Sequence, residues 1–269
     1  MQTIRGAGES GKMWTTAVSI DKQYGKEFDY ILREIAKCKY ATYAVEESKN
    51  RFFINIAGED ENGALITHSI VKIITDVILI YFKARYIKNR LAGCLDSEEV
   101  SDAMAILISA LIYFDAGIES GILYGIIEES GEYSIDGIFT FRTEDLADNW
   151  EELCALSVSL LSMNPDETDI LNLTAFLIDA SGGKKNKIAV VRTDADVSVL
   201  NVTLKEKIYI HDIFADKKQN LANAVISGYP ESVYTEEKAA GEITDNLKHI
   251  VRVERLSGSK LTGFAGQIK

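Results

Sequence analysis

Soft metal ligands are scarce in these 269 residues, which hold three cysteines and three histidines. Cys38, Cys94 and Cys154 stand 56 and 60 residues apart, with no CxxC and no cysteine–histidine spacing. That excludes the usual zinc patterns and a disulfide framework. Free thiols in a reducing cytoplasm are the expectation. His68, His211 and His249 are also far apart, and none has a ligand-spaced partner. No metal and no cofactor is therefore expected. Positive charge is short as well, with 29 basic residues against 41 acidic for a net charge of −12. An acidic surface repels phosphate backbones, so nucleic acid is not an expected partner. Residues 1–20 contain no apolar h-region, so no signal peptide is expected there. The longest apolar runs, Val77–Phe82 and Ala103–Phe114, fall short of the roughly 18 residues of a membrane span. Lys72, Asp76, Lys83, Asp102 and Asp115 interrupt any extension of them. No membrane span is expected, and the cytoplasm is the expected compartment. There is no GxSxG, no HExxH and no dinucleotide fingerprint after a strand, so no catalytic residue is nominated.

What the chain does have is apolar periodicity. Between Ser69 and Arg90, Ile70, Ile73, Ile74, Val77, Ile80, Tyr81, Ala84 and Ile87 recur at helical spacing, with Lys72, Asp76, Lys83 and Arg90 on the other side. This predicts a long helix entered near Leu65, its basic tail complementing the helix dipole. Asp96–Glu99 predicts the start of a second long helix whose buried face runs from Val100 to Ile118. Gly117, Gly121 and Gly125 near its end suggest close approach of another helix or mark a bend, with close packing the favoured reading. Thr143 is expected to cap a third helix, with Leu146, Trp150, Leu153, Leu156 and Leu160 inward. Pro165 ends that helix, and a fourth spans Asp166–Ala180, closed by Gly182-Gly183.

Short β segments flank this helical region. Trp14–Ile20, a helix over Lys26–Tyr40, and strands Ala41–Val45 and Arg51–Ala57 predict a small β-α-β-β unit. After residue 181, strands at Lys187–Arg192, Val197–Val202, Ile208–His211, Ser232–Tyr234 and Val251–Val253 alternate with helices at Ala215–Ile226 and Glu242–Ile250. The expected class is α+β, with an N-terminal unit over 14–64, a helical domain over 65–181, a C-terminal α/β unit over 182–256 and a tail over 257–269.

Two local patterns bear on chemistry. Gly6–Lys12 fits GxxxxGK, the opening of a phosphate-binding loop. That loop needs a buried strand before it and a helix after it, with Ser or Thr on the magnesium. Met1–Arg5 is not an apolar strand, Met13 occupies the Ser/Thr position, and Trp14–Ile20 reads as a strand. No working phosphate loop is expected. A duller reading starts translation at Met13, because Gly and Glu codons are purine-rich and Gly8-Glu9 then reads as a translated ribosome-binding sequence. The second pattern is His211-Asp212 at a predicted strand end, the one pair in the chain that resembles a binding or catalytic site. Asp194 and Asp196 read as turn residues.

The segment Ile135–Arg142, a short hydrophobic lead into a Phe-Arg pair, resembles an element of the YtxC-like family of sporulation proteins. The order from Leu221 through Val233 and Leu247 to Val253 is similar to that family's closing helix-strand-helix-strand. The resemblance covers residues 65–255. It implies a process, sporulation, and carries no active-site residue. The expected function is a non-enzymatic cytoplasmic protein acting through contacts with an unidentified protein partner. The rival is an enzyme or small-ligand-binding regulator with its site at His211 and Asp212.

Overall fold

The computed structural model describes residues 12–92, 101–128, 133–161, 165–182, 185–192, 197–236, 239 and 245–256. Gly6–Gly11, Cys94, Asp96–Glu99, Gly183, Thr193–Asp196, Glu242–Ile243 and the tail 257–269 lie outside the described residues. The class is α+β, with two mixed sheets and helices throughout the chain between and around them. The chain folds as two units, one from Met1–Leu79 with Ile118–Glu144, the other from Ile80–Gly117 with Asp145–Lys269.

In the first unit, β1 (Met13–Asp21), α1 (Gly25–Ile35), β2 (Thr42–Glu47) and β3 (Arg51–Glu59) realise the predicted β-α-β-β order. A strand therefore follows the glycine-rich segment where a phosphate loop would need a helix. Even-numbered side chains of β1 and β3 face the core: Val18, Ile20, Ile54 and Ile56 are buried, and Val18 stands opposite Ile54. α1 buries Phe28, Ile31 and Ile35, and the Phe28 ring stacks on Phe52 at 4.0 Å between centroids. It stops at Ile35, five residues before Tyr40, because Lys37-Cys38-Lys39 adds no apolar side chain to its stripe. The sheet order is β2-β3-β1-β4, where β4 (Tyr133–Ser134) arrives from much later in the chain and runs parallel to β1. Helix α6 (Ile135–Arg142) follows it directly. One side chain joins these pieces. Arg51 on β3 grips Asp136 of α6 with both terminal nitrogens, at 2.9 and 2.7 Å, and also donates to Ser19 (3.2 Å) and Ser134 (2.9 Å).

The predicted long helix is continuous from Gly63 to Leu91, as α2 (Gly63–Asp76), a π-helical turn (Val77–Phe82) and α3 (Lys83–Leu91). Preceded by a 3₁₀ turn, the run Asp60–Leu91 spans 32 residues. Among the described residues it is the one single helix long and apolar enough to cross a membrane, although its apolar runs read as too short one by one. Of its most apolar stretch, 61 % is buried inside the fold, as in the core helix of a globular domain.

The second predicted helix is two helices. α4 (Asp102–Tyr113) is capped by Ser101, whose hydroxyl accepts from the Met104 amide, while the expected start at Asp96–Glu99 lies outside the described residues. α5 (Ala116–Glu128) follows at 51°. The break is at Phe114-Asp115, where Phe114 is extended and Asp115 has φ +57°. Lys83, fully buried, donates to the Phe114 carbonyl at 3.1 Å and so satisfies the exposed end of α4. The close helix approach expected at Gly117, Gly121 and Gly125 is not made among the described residues, since a Cβ at any of them would meet nothing within 4 Å.

In the second unit, α4 is buried on almost every side and packs against α8 (Glu167–Ala180) and α9 (Lys217–Ser227). α8 opens with a reciprocal Asp166–Asp169 capping box. α7 (Glu144–Leu160) buries Leu146, Trp150 and Cys154, but Leu156 and Leu160 are exposed, against expectation. The Thr143 hydroxyl donates backward to Phe139, so it closes α6 and does not open α7. The sheet has the order β7-β6-β5-β8-β9, from β5 (Asn186–Arg192), β6 (Val197–Asn201), β7 (Glu206–Ile208), β8 (Pro230–Thr235) and β9 (Arg252–Arg255). β5, β6 and β7 form an antiparallel meander, and β8 and β9 continue in parallel through α9 and the short α10 (Asp245–Ile250). Ile188, Val190 and Val199 join the helices' core, while Ala189, Val191 and Leu200 pack with Val202, Tyr234 and Leu256 in a smaller cluster. The unit boundaries at Leu79/Ile80, Gly117/Ile118 and Glu144/Asp145 differ from the expected divisions at 64/65 and 181/182. The helices between are shared out because α2 packs on β3 while α4 packs on α8 and α9.

Candidate functional site

β7 ends at Ile208, and the strand predicted to reach His211 gives way there to a loop. From Tyr209 to Phe214 the chain turns across the edge of the sheet before α9 begins. A short strand at a sheet edge leaves its successor residues without ladder partners, so other groups must hold them. Asn220, in the first turns of α9 and 5 % exposed, does most of this. Its Oδ1 accepts from the amides of Ile213 (2.9 Å) and Phe214 (2.7 Å). Its Nδ2 donates to the Phe214 carbonyl (3.0 Å) and to Asp212 Oδ1 (3.2 Å). From the other side Lys88, in the basic tail of α3, donates to the Ile213 carbonyl at 2.6 Å and lies over the Phe214 ring at 4.3 Å. That tail was expected to serve only the helix dipole; it also anchors the loop.

His211 is buried at 7 % exposure, packed edge-on against Tyr81 and Tyr209 with centroids 5.4 and 4.7 Å away. Its Nδ1 is 3.2 Å from the Tyr81 hydroxyl. Tyr81 comes from the π-helical turn, whose irregular winding sets the ring at the loop. The chain neighbour Asp212 is exposed, with its carboxylate turned to Asn220. The two residues nominated from the sequence therefore both line one cleft of about 420 Å³, His211 with its Nδ1 at the Tyr81 hydroxyl and Asp212 with Oδ1 on the Asn220 amide. Val197, Ile208, Ile210 and Leu221 form its apolar wall, and Tyr209, Lys207 and Lys217 the rest of its rim with them. The volume is within the range of small-molecule sites.

A second concavity of about 470 Å³ lies on the face of β1, β2 and β3 in the first unit, lined by residues such as Thr15, Ala17, Thr42, Asn55 and Ala57. It is larger but is built from small uncharged side chains on a flat sheet, and brings no convergent polar groups to one point. Among the described residues, no group of three or more His, Cys, Asp or Glu side chains could hold a metal ion. Cys154, at 2 % exposure beside Trp150, is held inert by burial, which pushes its thiol up to about 11, with Glu151 adding to the shift.

Tyr81, Lys88, Tyr209 and Asn220 were not nominated from sequence. Asn220 gave no signal, because it follows Lys217-Lys218-Gln219 and reads as part of the polar start of α9. Comparison with protein-family models, with curated proteins and with solved structures returns no match.

Proposed function

We propose that this protein binds a small organic molecule in the cleft between β7, the Tyr209–Phe214 loop and α9. One observation carries the reading: a loop with no ladder of its own is fixed by five hydrogen bonds from Asn220 and Lys88, and it is the loop that forms the cleft's floor. Such preorganisation lowers the entropic cost of binding. No nucleophile–base pair converges on the cleft among the described residues, so binding without covalent chemistry is the reading favoured over an enzyme. The test is methyl-resolved NMR of the full chain against a library of small molecules of mixed charge. The methyls of Val197, Ile208, Ile210 and Leu221 should shift together; a library that leaves all four in place sinks the reading.

A second reading follows from the YtxC-like resemblance, a cytoplasmic role in sporulation through a protein partner. What favours it is Phe141, in the Phe-Arg pair of α6, which is 83 % exposed. A large apolar side chain so exposed marks a contact site when it is not isolated, and Ile118 and Ile122 of the same unit are also exposed. Tagged protein should retain a partner from sporulating cells and lose it on Phe141→Ser; equal capture by both refutes this reading.

A further inference from the structure

We infer that the ligand of the β7–α9 cleft is an organic anion, a carboxylate or phosphate on an apolar body of one or two rings. This rests on the reading that the cleft is a ligand site. The chain carries a large excess of acid, and lysines such as Lys22, Lys37 and Lys72 are taken up by carboxylates, on Glu47 (2.7 Å), Glu34 (2.6 Å) and Asp76 (3.1 Å). Lys207 and Lys217 line the cleft with no carboxylate partner among the described residues. Among the described residues, the one carboxylate on the lining, Asp212, is hydrogen-bonded to Asn220. Two ammonium groups thus stand against one engaged carboxylate, and Lys217 opens α9, where the amide ends of the helix add positive potential. With the charge, Ile208, Ile210, Val197 and Leu221 give the cleft apolar lining, joined by Tyr209 and His211. An anionic head on a flat apolar body matches both halves; a polyol or a cation matches neither.

The test uses four probes with one ring system, 2-naphthoate, 2-naphthyl phosphate, 2-naphthamide and 2-naphthylmethylamine, titrated into the full chain by methyl NMR. The anions should bind with shifts at Ile208, Ile210 and Leu221, the amide should bind roughly fivefold or more weakly, and the amine more weakly still. The preferred anion identifies the head group as carboxylate or phosphate. A Lys207→Ala/Lys217→Ala variant should bind naphthoate and naphthamide alike, and added salt should remove the anion's advantage in the native chain. If amide or amine binds as well as the anions, or the double variant keeps the preference, the anion inference is overturned while the ligand site stands. If no probe of any charge shifts these methyls, both are overturned.

Discussion

Asn220→Ala is the most direct probe of the site. The substitution removes four hydrogen bonds in one step but deletes almost no apolar surface, so packing loss does not obscure the result. The buried Phe214 amide loses its partner outright, at about 1–3 kcal/mol. The Ile213 amide is only part-buried and the Phe214 carbonyl keeps a second lone pair, so each contributes about 0.5–1 kcal/mol. The Asp212 contact is exposed and is set near zero. The sum is about 2–5 kcal/mol, or a urea midpoint lowered by about 1–2.5 M at a dependence on denaturant of about 2 kcal/mol per M. Trp150 is buried in the same unit and reports its unfolding by fluorescence once Trp14 is changed to Phe. Lys218→Ala, an exposed neighbour, serves as control and should move the midpoint by under about 0.3 M. If Asn220→Ala behaves like that control, the four bonds do not hold the loop and the preorganised cleft goes with them.

Lys88→Met keeps the aliphatic stem over Phe214 and loses the charged bond to Ile213, so amide exchange should accelerate at residues 211–214 with a stability loss of about 1–3 kcal/mol; unchanged exchange there counts against the anchor. Gly228→Ala would put a Cβ 2.6 Å from Ile188 Cδ1 and 2.8 Å from Ile208 Cδ1, pushing β7 outward, and should cost about 1–3 kcal/mol and alter the Ile208 methyl shift. Arg51→Lys cannot reproduce the forked grip on Asp136, so amide protection at β4 and α6 should fall in this variant almost as far as in Arg51→Ala; full protection in the lysine variant refutes that. Because burial raises the Cys154 thiol, the folded protein should resist alkylation there at pH 8 and still at pH 10, with reaction appearing only near its pKa of about 11 or on unfolding, while the half-buried Cys38 reacts first. Peptide mass mapping of the alkylated protein checks the order.

The elements were legible where one physical rule acts locally. The stripe Ile66–Ile70–Ile74 and the alternation of Val18 and Ile20 identify their own helix and strand, because burial on one face imposes the period. The failures are places where distant groups decide. Ile118 keeps the helical spacing of the face from Ala103 to Phe114 across Asp115, so that period does not announce the bend; at the bend Lys83, from another helix, caps Phe114. Leu156 and Leu160 fit the inward stripe of α7 and still face solvent, since periodicity identifies an apolar face but not whether anything covers it. At the site, His211 and Asp212 were legible as a polar pair next to a strand. Their division of labour was not, because it is set by Tyr81 and Asn220, one 130 residues away from His211 and the other on the next helix.

The chain passes between its two units at Leu79/Ile80, Gly117/Ile118 and Glu144/Asp145, so neither unit is one continuous stretch of sequence. A ribosome making this protein releases β1, β2 and β3 early, yet their fourth strand and the Asp136 that Arg51 grips arrive more than seventy residues later. Meanwhile residues 80–117, among the most apolar in the chain, emerge well before the β-strands and α9 that will bury them. During synthesis, then, the nascent protein carries an uncovered α4 until its second half is made. No single cut in the gene yields two fragments that each hold one whole unit and nothing else: a cut after Glu144 keeps the first unit whole but strands residues 80–117 away from the rest of the second.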